Sequence, residues 1–120
     1  PNGELIFYSR SDESGPKLST YDISSINDAL SFETCLSKGY GIRGVVKKRR
    51  KLFMLGQTRI HLDQVEILGS FLELEVVLNE YQTLECGEII ANGIMDKLNI
   101  GQNQLISAAY IDLICESKHA

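Results

Sequence analysis

Alternation of apolar and polar residues predicts five β-strands in this chain. The clearest is FLELEVVL at residues 71–78, in which apolar residues occupy every second position. A tight turn, LGQT at residues 55–58, separates the two strands before it. The five predicted strands cover residues 4–10, 17–23, 42–54, 59–65 and 71–78.

Helical spacing of apolar residues predicts two helices. The first is expected to begin at a cap, Ser24 or Ser25, and to end at Gly39, while the second covers residues 83–98. Residues 105–114 are apolar and fit either a helical turn or a strand. We expect only that this segment docks against the rest of the domain. This mixture predicts an α+β fold, and 120 residues with 43% hydrophobic content predict a single domain.

The charged residues of the last two strands lie on one face of each strand. Arg59, His61 and Asp63 share a face, as do Glu73 and Glu75, because side chains alternate along a strand. One interpretation is an ordinary sheet with its polar face in water and its apolar face against the helices. The other is a sheet that curls so that its polar faces look into a shared cavity.

Basic residues precede acidic residues along the predicted strands. Arginine forks bind phosphate oxygens bidentately, lysine acts as a point charge, and carboxylate oxygens suit Mg²⁺ or Mn²⁺. In a closed cavity, carboxylates roughly 6 Å apart would repel by about 3 kcal/mol, which a divalent ion would remove. A curled sheet would therefore suit a metal-bound polyphosphate. The candidate bases are Arg10, Lys17, Lys47, Arg49 and Arg59, and the candidate carboxylates are Asp63, Glu73 and Glu75.

Composition excludes several classes of protein. The net charge of −4 argues against a general nucleic-acid binder, which needs excess Lys and Arg to displace counterions from phosphate backbones. No apolar stretch is long enough to span a membrane, and the first residues do not resemble a signal peptide. Three cysteines without a CxxC pair indicate reduced thiols. We expect a soluble, cytoplasmic protein that contacts neither nucleic acid nor membrane.

Residues 45–78 resemble the CYTH superfamily of triphosphate tunnel enzymes, which includes class IV adenylyl cyclases and thiamine triphosphatases. The resemblance is carried by VVKKRRKLF, then RIHLDQVEILGSF, then LELEVVL. IFYSR upstream and YIDLI near the end are also similar, so the resemblance covers nearly the whole chain.

The resemblance implies an antiparallel β-barrel of eight strands with outer helices, a small-molecule triphosphate substrate and metal-dependent attack on it. It implies that Asp63, Glu73 and Glu75 are metal ligands for Mg²⁺ or Mn²⁺. His61, which alternation places on the face of Arg59 and Asp63, is interpreted as a hydrogen-bonded lining residue in preference to a catalytic one. The implied triphosphate-binding residues are Arg10, Lys17, Lys47, Arg49 and Arg59. The implied catalytic residues are Lys47, Arg49, Arg59, Asp63, Glu73 and Glu75.

The chain also departs from the family pattern. Family members open with a Glu-x-Glu-x-Lys strand that is absent here, so we expect residues 1–120 to be a partial domain with about five of the eight strands. In the intact protein we expect a triphosphatase acting on thiamine triphosphate or inorganic triphosphate, or a cyclase that converts ATP to cyclic AMP. The alternative is a module that binds polyphosphate or nucleotide, or a protein partner, without catalysis.

Overall fold

The computed structural model describes residues 2–10 and 15–119. These residues contain five antiparallel strands in two sheets and three α-helices, which confirms the α+β prediction. Closure of the strands into a barrel stays a prediction. The chain divides into two compact units, the first formed by Pro1–Ser11 with Leu18–Val45 and the second by Asp12–Lys17 with Val46–Ala120.

The first unit contains a hairpin and one helix. Strand β1 (Gly3–Arg10) pairs with β2 (Ser19–Ile26). Helix α1 (Ala29–Tyr40) follows. A Cβ on Gly3 would lie 2.8 Å from the Cβ of Ala29, so glycine allows the close approach of β1 to the start of the helix.

The predicted boundaries of α1 were wrong. Ser24 and Ser25 are not caps, because both lie in β2 and continue its pairing with β1. The helix is instead capped by Asp28, whose Oδ1 accepts a hydrogen bond from the Ser31 N–H at 3.1 Å. It ends at Gly41, with a φ of 82°, rather than at Gly39.

The sheet of the second unit is a three-stranded meander. Strand β3 (Lys48–Leu55) pairs with β4 (Thr58–Val65), which pairs with β5 (Gly69–Val76). Gly56 and Gln57 form the turn between β3 and β4, and Gly56 has a φ of 60°. The last two strands lie close to their predicted positions. Strand β3 begins six residues later than the predicted residue 42, since its partner β4 ends at Val65, where the chain turns towards β5.

Helix α2 (Leu84–Lys97) confirms the second predicted helix. Thr83 caps it by accepting a hydrogen bond from the Cys86 N–H at 3.4 Å. Its apolar face packs against β5. The buried residues of this face are Gly87, Ala91, Ile94 and Met95.

The end of the chain is helical. A short 3₁₀-helix (Gln102–Gln104) precedes helix α3 (Tyr110–His119), which resolves the ambiguous pattern of the sequence in favour of a helix. Ile114 of α3 is almost fully buried, so this helix contributes to the core of the second unit. Across the described residues, every helix is too short or too polar to span a membrane.

Candidate functional site

Strand pairing in the second unit places most of its charged strand residues on one face, here called the polar face. Residues directly opposite each other in an antiparallel pair project to the same side of the sheet. Arg50 faces Asp63, while His61 faces Glu73 and Arg59 faces Glu75. The polar face consists of Lys48, Arg50, Leu52 and Met54 of β3, Arg59, His61, Asp63 and Val65 of β4, and Phe71, Glu73 and Glu75 of β5.

The polar face is covered where Asp63 lies. Asp63 is 1% exposed and His61 is also buried, whereas Leu72 on the opposite face is 40% exposed. An ordinary sheet would show the reverse pattern, with carboxylates in water and leucines buried. The structure therefore covers the charged face at Asp63 and His61, while curling of the sheet around a shared cavity stays a prediction.

Asp63 holds both of its carboxylate oxygens in hydrogen bonds. Arg50 donates from Nε to Oδ1 and from Nη2 to Oδ2, each at 2.7 Å. The Tyr110 hydroxyl donates to Oδ2 at 2.8 Å. These hydrogen bonds, that from Arg50 foremost, lower the pKa of Asp63 below its ordinary value, against the opposing effect of burial. Asp63 is therefore ionised and fully paired at neutral pH.

Tyr110 brings helix α3 into this arrangement. Its ring packs against Phe71 with ring centroids 5.1 Å apart, and the Lys48 Nζ lies 5.3 Å from the ring centroid. Burial, together with the hydrogen bond to Asp63, raises the pKa of Tyr110 above its ordinary value. Its hydroxyl group is consequently a stable hydrogen-bond donor at neutral pH.

The two glutamates of β5 have looser partners. His61 Nδ1 lies 3.0 Å from Glu73 Oε1, and Arg59 Nε lies 3.6 Å from Glu75 Oε1. The carboxylates of Glu73 and Glu75 keep 41% and 33% of their side-chain surface exposed, unlike that of Asp63. Both can therefore exchange their partners for a ligand at low cost.

The structure brings together four of the predicted site residues. Arg59, Asp63, Glu73 and Glu75 share the polar face, as the alternation of side chains predicted. It does not bring Arg49 to them, because Arg49 faces Gln64 and thus lies on the opposite face. Lys47 precedes β3, and its backbone carbonyl accepts a hydrogen bond from the Glu66 N–H at 2.8 Å.

Lys48 and Arg50 are the basic residues of β3 that the sequence analysis missed. The run KKRRK places basic residues at both odd and even positions, so alternation alone could not choose between them. The predicted turn contained the missing signal. A turn of Gly56 and Gln57 makes Leu55 face Thr58, and counting back along both strands from this pair makes Arg50 face Asp63.

Two further predicted bases do not belong to the three-stranded sheet. Arg10 ends β1 in the first unit. Lys17 belongs to the second unit, where its Nζ donates a hydrogen bond to the Ser107 carbonyl at 3.1 Å. A role for either residue in binding triphosphate stays a prediction.

The three predicted metal ligands differ in how available their carboxylates are. Within residues 2–10 and 15–119, no three His, Cys, Asp or Glu side chains are grouped for a metal ion. Asp63 is committed to Arg50 and Tyr110. Glu73 and Glu75 remain suitable, because their partly exposed carboxylates are hard oxygen donors of the kind that Mg²⁺ or Mn²⁺ binds along with water and phosphate oxygens.

Comparison with known sequences decides the family. The sequence profile of the CYTH domain matches residues 2–110. The chain belongs to the CYTH family. CYTH proteins include triphosphatases and adenylyl cyclases, and the family match indicates a fold of the triphosphate tunnel type. Comparison with curated protein sequences gave no match.

Solved structures from two archaea share this CYTH fold. The PH1012 protein of Pyrococcus horikoshii OT3 aligns with a TM-score of 0.75 and 24% identity, over 92% of this chain and 67% of its own. A conserved hypothetical protein of Pyrococcus furiosus aligns with a TM-score of 0.75 and 15% identity, over the same fractions of the two chains. The PH1819 protein of Pyrococcus horikoshii OT3 aligns with a TM-score of 0.68 and 21% identity, over 95% of this chain and 66% of its own. This CYTH chain thus spans about two thirds of each of these proteins.

Proposed function

We propose that the polar face of this CYTH domain binds the triphosphate group of a small molecule and supports its metal-dependent hydrolysis in the intact protein. The observation that carries the proposal is the charged face of the three-stranded sheet, which is covered at Asp63 and His61 and on which guanidinium groups and carboxylates alternate between neighbouring strands. A triphosphate with a divalent ion carries both signs of charge and matches such a surface. In the intact protein we propose that further strands close this sheet into a barrel around the polar face.

The basic residues would hold the phosphate oxygens. Arg59 is the best placed, since its side chain is about half exposed and its contact with Glu75 at 3.6 Å is too long for a strong ion pair. Lys48 and Arg50 take the places on β3 that the sequence analysis gave to Lys47 and Arg49. Their positive charge would orient the triphosphate and stabilise charge that develops on the transferred group.

The acidic residues of β5 would hold the metal. Glu73 and Glu75 project to the same side of the strand and leave space for ligands other than protein. A bound Mg²⁺ or Mn²⁺ would supply Lewis-acid stabilisation of phosphate charge. Asp63 would support the site through Arg50 instead of joining the metal ligands, which revises the ligand set that the sequence suggested.

Hydrolysis is the simpler of the two reactions that the resemblance implies. It needs an ordered water molecule, whereas cyclisation also requires a ribose hydroxyl to be aligned with the α-phosphorus atom. We therefore favour thiamine triphosphate or inorganic triphosphate as substrate over ATP.

One observation favours the non-catalytic alternative. Each carboxylate of the polar face already lies beside Arg50, Arg59 or the His61 ring, so all three have a partner without a metal ion. A module that binds triphosphate by exchanging the Arg59 contact, without turning it over, would fit this arrangement as well.

Turnover assays separate the two functions. The full-length protein is incubated with inorganic triphosphate, thiamine triphosphate or ATP, with and without Mg²⁺ or Mn²⁺, and phosphate and cyclic AMP are measured. We expect metal-dependent phosphate release that Glu73→Gln abolishes, with little change in stability. The matched control Glu80→Gln, at an exposed turn residue, should leave activity unchanged. Tight triphosphate binding without turnover would support the non-catalytic module, and activity that survives Glu73→Gln would contradict the metal assignment.

A further inference from the structure

The contact between Arg50 and Asp63 fixes the orientation of the guanidinium group. Arg50 uses Nε and Nη2, the side edge of its fork, to contact the two carboxylate oxygens at 2.7 Å each. Two parallel hydrogen bonds hold a planar group in one plane, which a single contact would not do. The two Nη1 hydrogens and the second hydrogen of Nη2 are left for other acceptors.

Burial separates the roles of these two residues. The Asp63 side chain has 0% of its surface exposed, whereas that of Arg50 has 32% exposed. A ligand on the polar face can thus reach Arg50 but not Asp63. Asp63 can therefore affect that ligand only through residues, such as Arg50, that contact Asp63.

Tyr110 extends the arrangement to helix α3. Its hydroxyl donates to Oδ2, the same oxygen that Arg50 Nη2 contacts, so it limits the positions that the carboxylate can adopt. The ring of Tyr110 is itself held by Phe71 and lies beneath Lys48. One tyrosine therefore touches the carboxylate that orients Arg50 and also the neighbouring base of the polar face.

We propose that Asp63 and Tyr110 are positioning residues that hold Arg50 with its Nη1 end presented to the phosphate oxygens of a triphosphate. This inference rests on the function proposed above and adds to it a defined phosphate-binding group and the two residues that orient it. It also gives α3 a role in ligand binding, although α3 need not touch the ligand.

The effect is measured as affinity for inorganic triphosphate, by isothermal titration calorimetry on the full-length protein with and without Mg²⁺. Tyr110→Phe removes one hydrogen bond and keeps the ring packing, so we expect about a two- to tenfold rise in Kd. Arg50→Lys keeps the positive charge and loses the forked guanidinium group, so we expect about a tenfold rise in Kd. Asp63→Asn should raise Kd by a similar factor.

Matched controls test whether the effect belongs to these positions. Tyr81→Phe is the same substitution at an exposed tyrosine, and Arg49→Lys is the same substitution on the opposite face. Neither control should change Kd by more than about twofold. If Asp63→Asn does not fold, the tyrosine and arginine variants still decide the question.

The double variant distinguishes positioning from a merely structural role. If Tyr110 acts through Arg50, Tyr110→Phe should have no further effect on Kd once Arg50 is lysine. Additive effects in the double variant, or an unchanged Kd in Tyr110→Phe, would overturn this inference while leaving the proposed function in place. Failure of the wild-type protein to bind triphosphate at all would overturn the proposed function and this inference together.

Discussion

Arg50 and Asp63 face each other directly across β3 and β4, and both of their N···O distances are 2.7 Å. Only the Asp63 side chain is fully buried, so substituting one residue of the ion pair should have a different effect from substituting the other. Removing the arginine leaves a buried carboxylate without a cation and out of reach of water. Removing the carboxylate leaves an arginine that water can still solvate.

This difference predicts unequal costs of substitution. Arg50→Met should lower the free energy of unfolding by about 3 kcal/mol, because Asp63 stays buried without its cation. Asp63→Asn should cost only about 1 kcal/mol, because asparagine retains hydrogen bonds and Arg50 can be hydrated. Urea unfolding of the full-length protein measures both values, with Arg49→Met on the opposite face as control. Equal losses for Arg50→Met and Asp63→Asn would show that burial does not separate the two residues.

The lowered pKa of Asp63 predicts a specific dependence of stability on pH. The Asp63 carboxylate takes up a proton less readily in the folded protein than in the unfolded chain, so acid favours unfolding. The contribution of Asp63 should be complete above the ordinary carboxyl pKa of about 4 and should be lost as pH falls through the lower folded value. Urea midpoints measured from neutral to acidic pH should fall less steeply for Asp63→Asn than for the wild type. Parallel curves would contradict the assignment.

The raised pKa of Tyr110 predicts that one tyrosine resists ionisation. The sequence contains five tyrosines, and phenolate absorbance during an alkaline titration reports all of them. Tyr110 should ionise above the ordinary tyrosine pKa and contribute stability that is present below about pH 10 and lost as pH rises through its folded pKa. Tyr110→Phe should remove the late phase, whereas the control Tyr81→Phe should leave it in place. A late phase that persists in Tyr110→Phe would assign the resistant tyrosine elsewhere.

Sequence patterns located the strands and helices best where the patterns were long. The alternation in FLELEVVL and the helical spacing after Thr83 gave β5 and α2 nearly in place. The cap of α1 was misplaced, because Ser24 and Ser25 have capping chemistry but pair with β1 instead. Local preference could not reveal that the hairpin continues through them.

The candidate site could be predicted on β4 and β5 but not on β3 or α3. Charged residues alternate with apolar ones around Asp63 and Glu73, so their shared face is fixed by the sequence. The basic run of β3 lacks such alternation, and its register depends on the turn. Tyr110 lies 47 residues from Asp63 along the chain, and nothing in the local pattern links the two.

The binding of inorganic triphosphate to the full-length protein, compared between Arg59→Gln and Arg49→Gln, tests the central claim most directly. The two substitutions remove the same charge from neighbouring strands, but only Arg59 projects from the polar face. Titration calorimetry should show that Arg59→Gln weakens binding about tenfold or more, the loss of a charged hydrogen-bond partner, while Arg49→Gln changes it by less than about twofold. Equal weakening by both substitutions, or weakening by Arg49→Gln alone, would contradict a triphosphate site on the polar face.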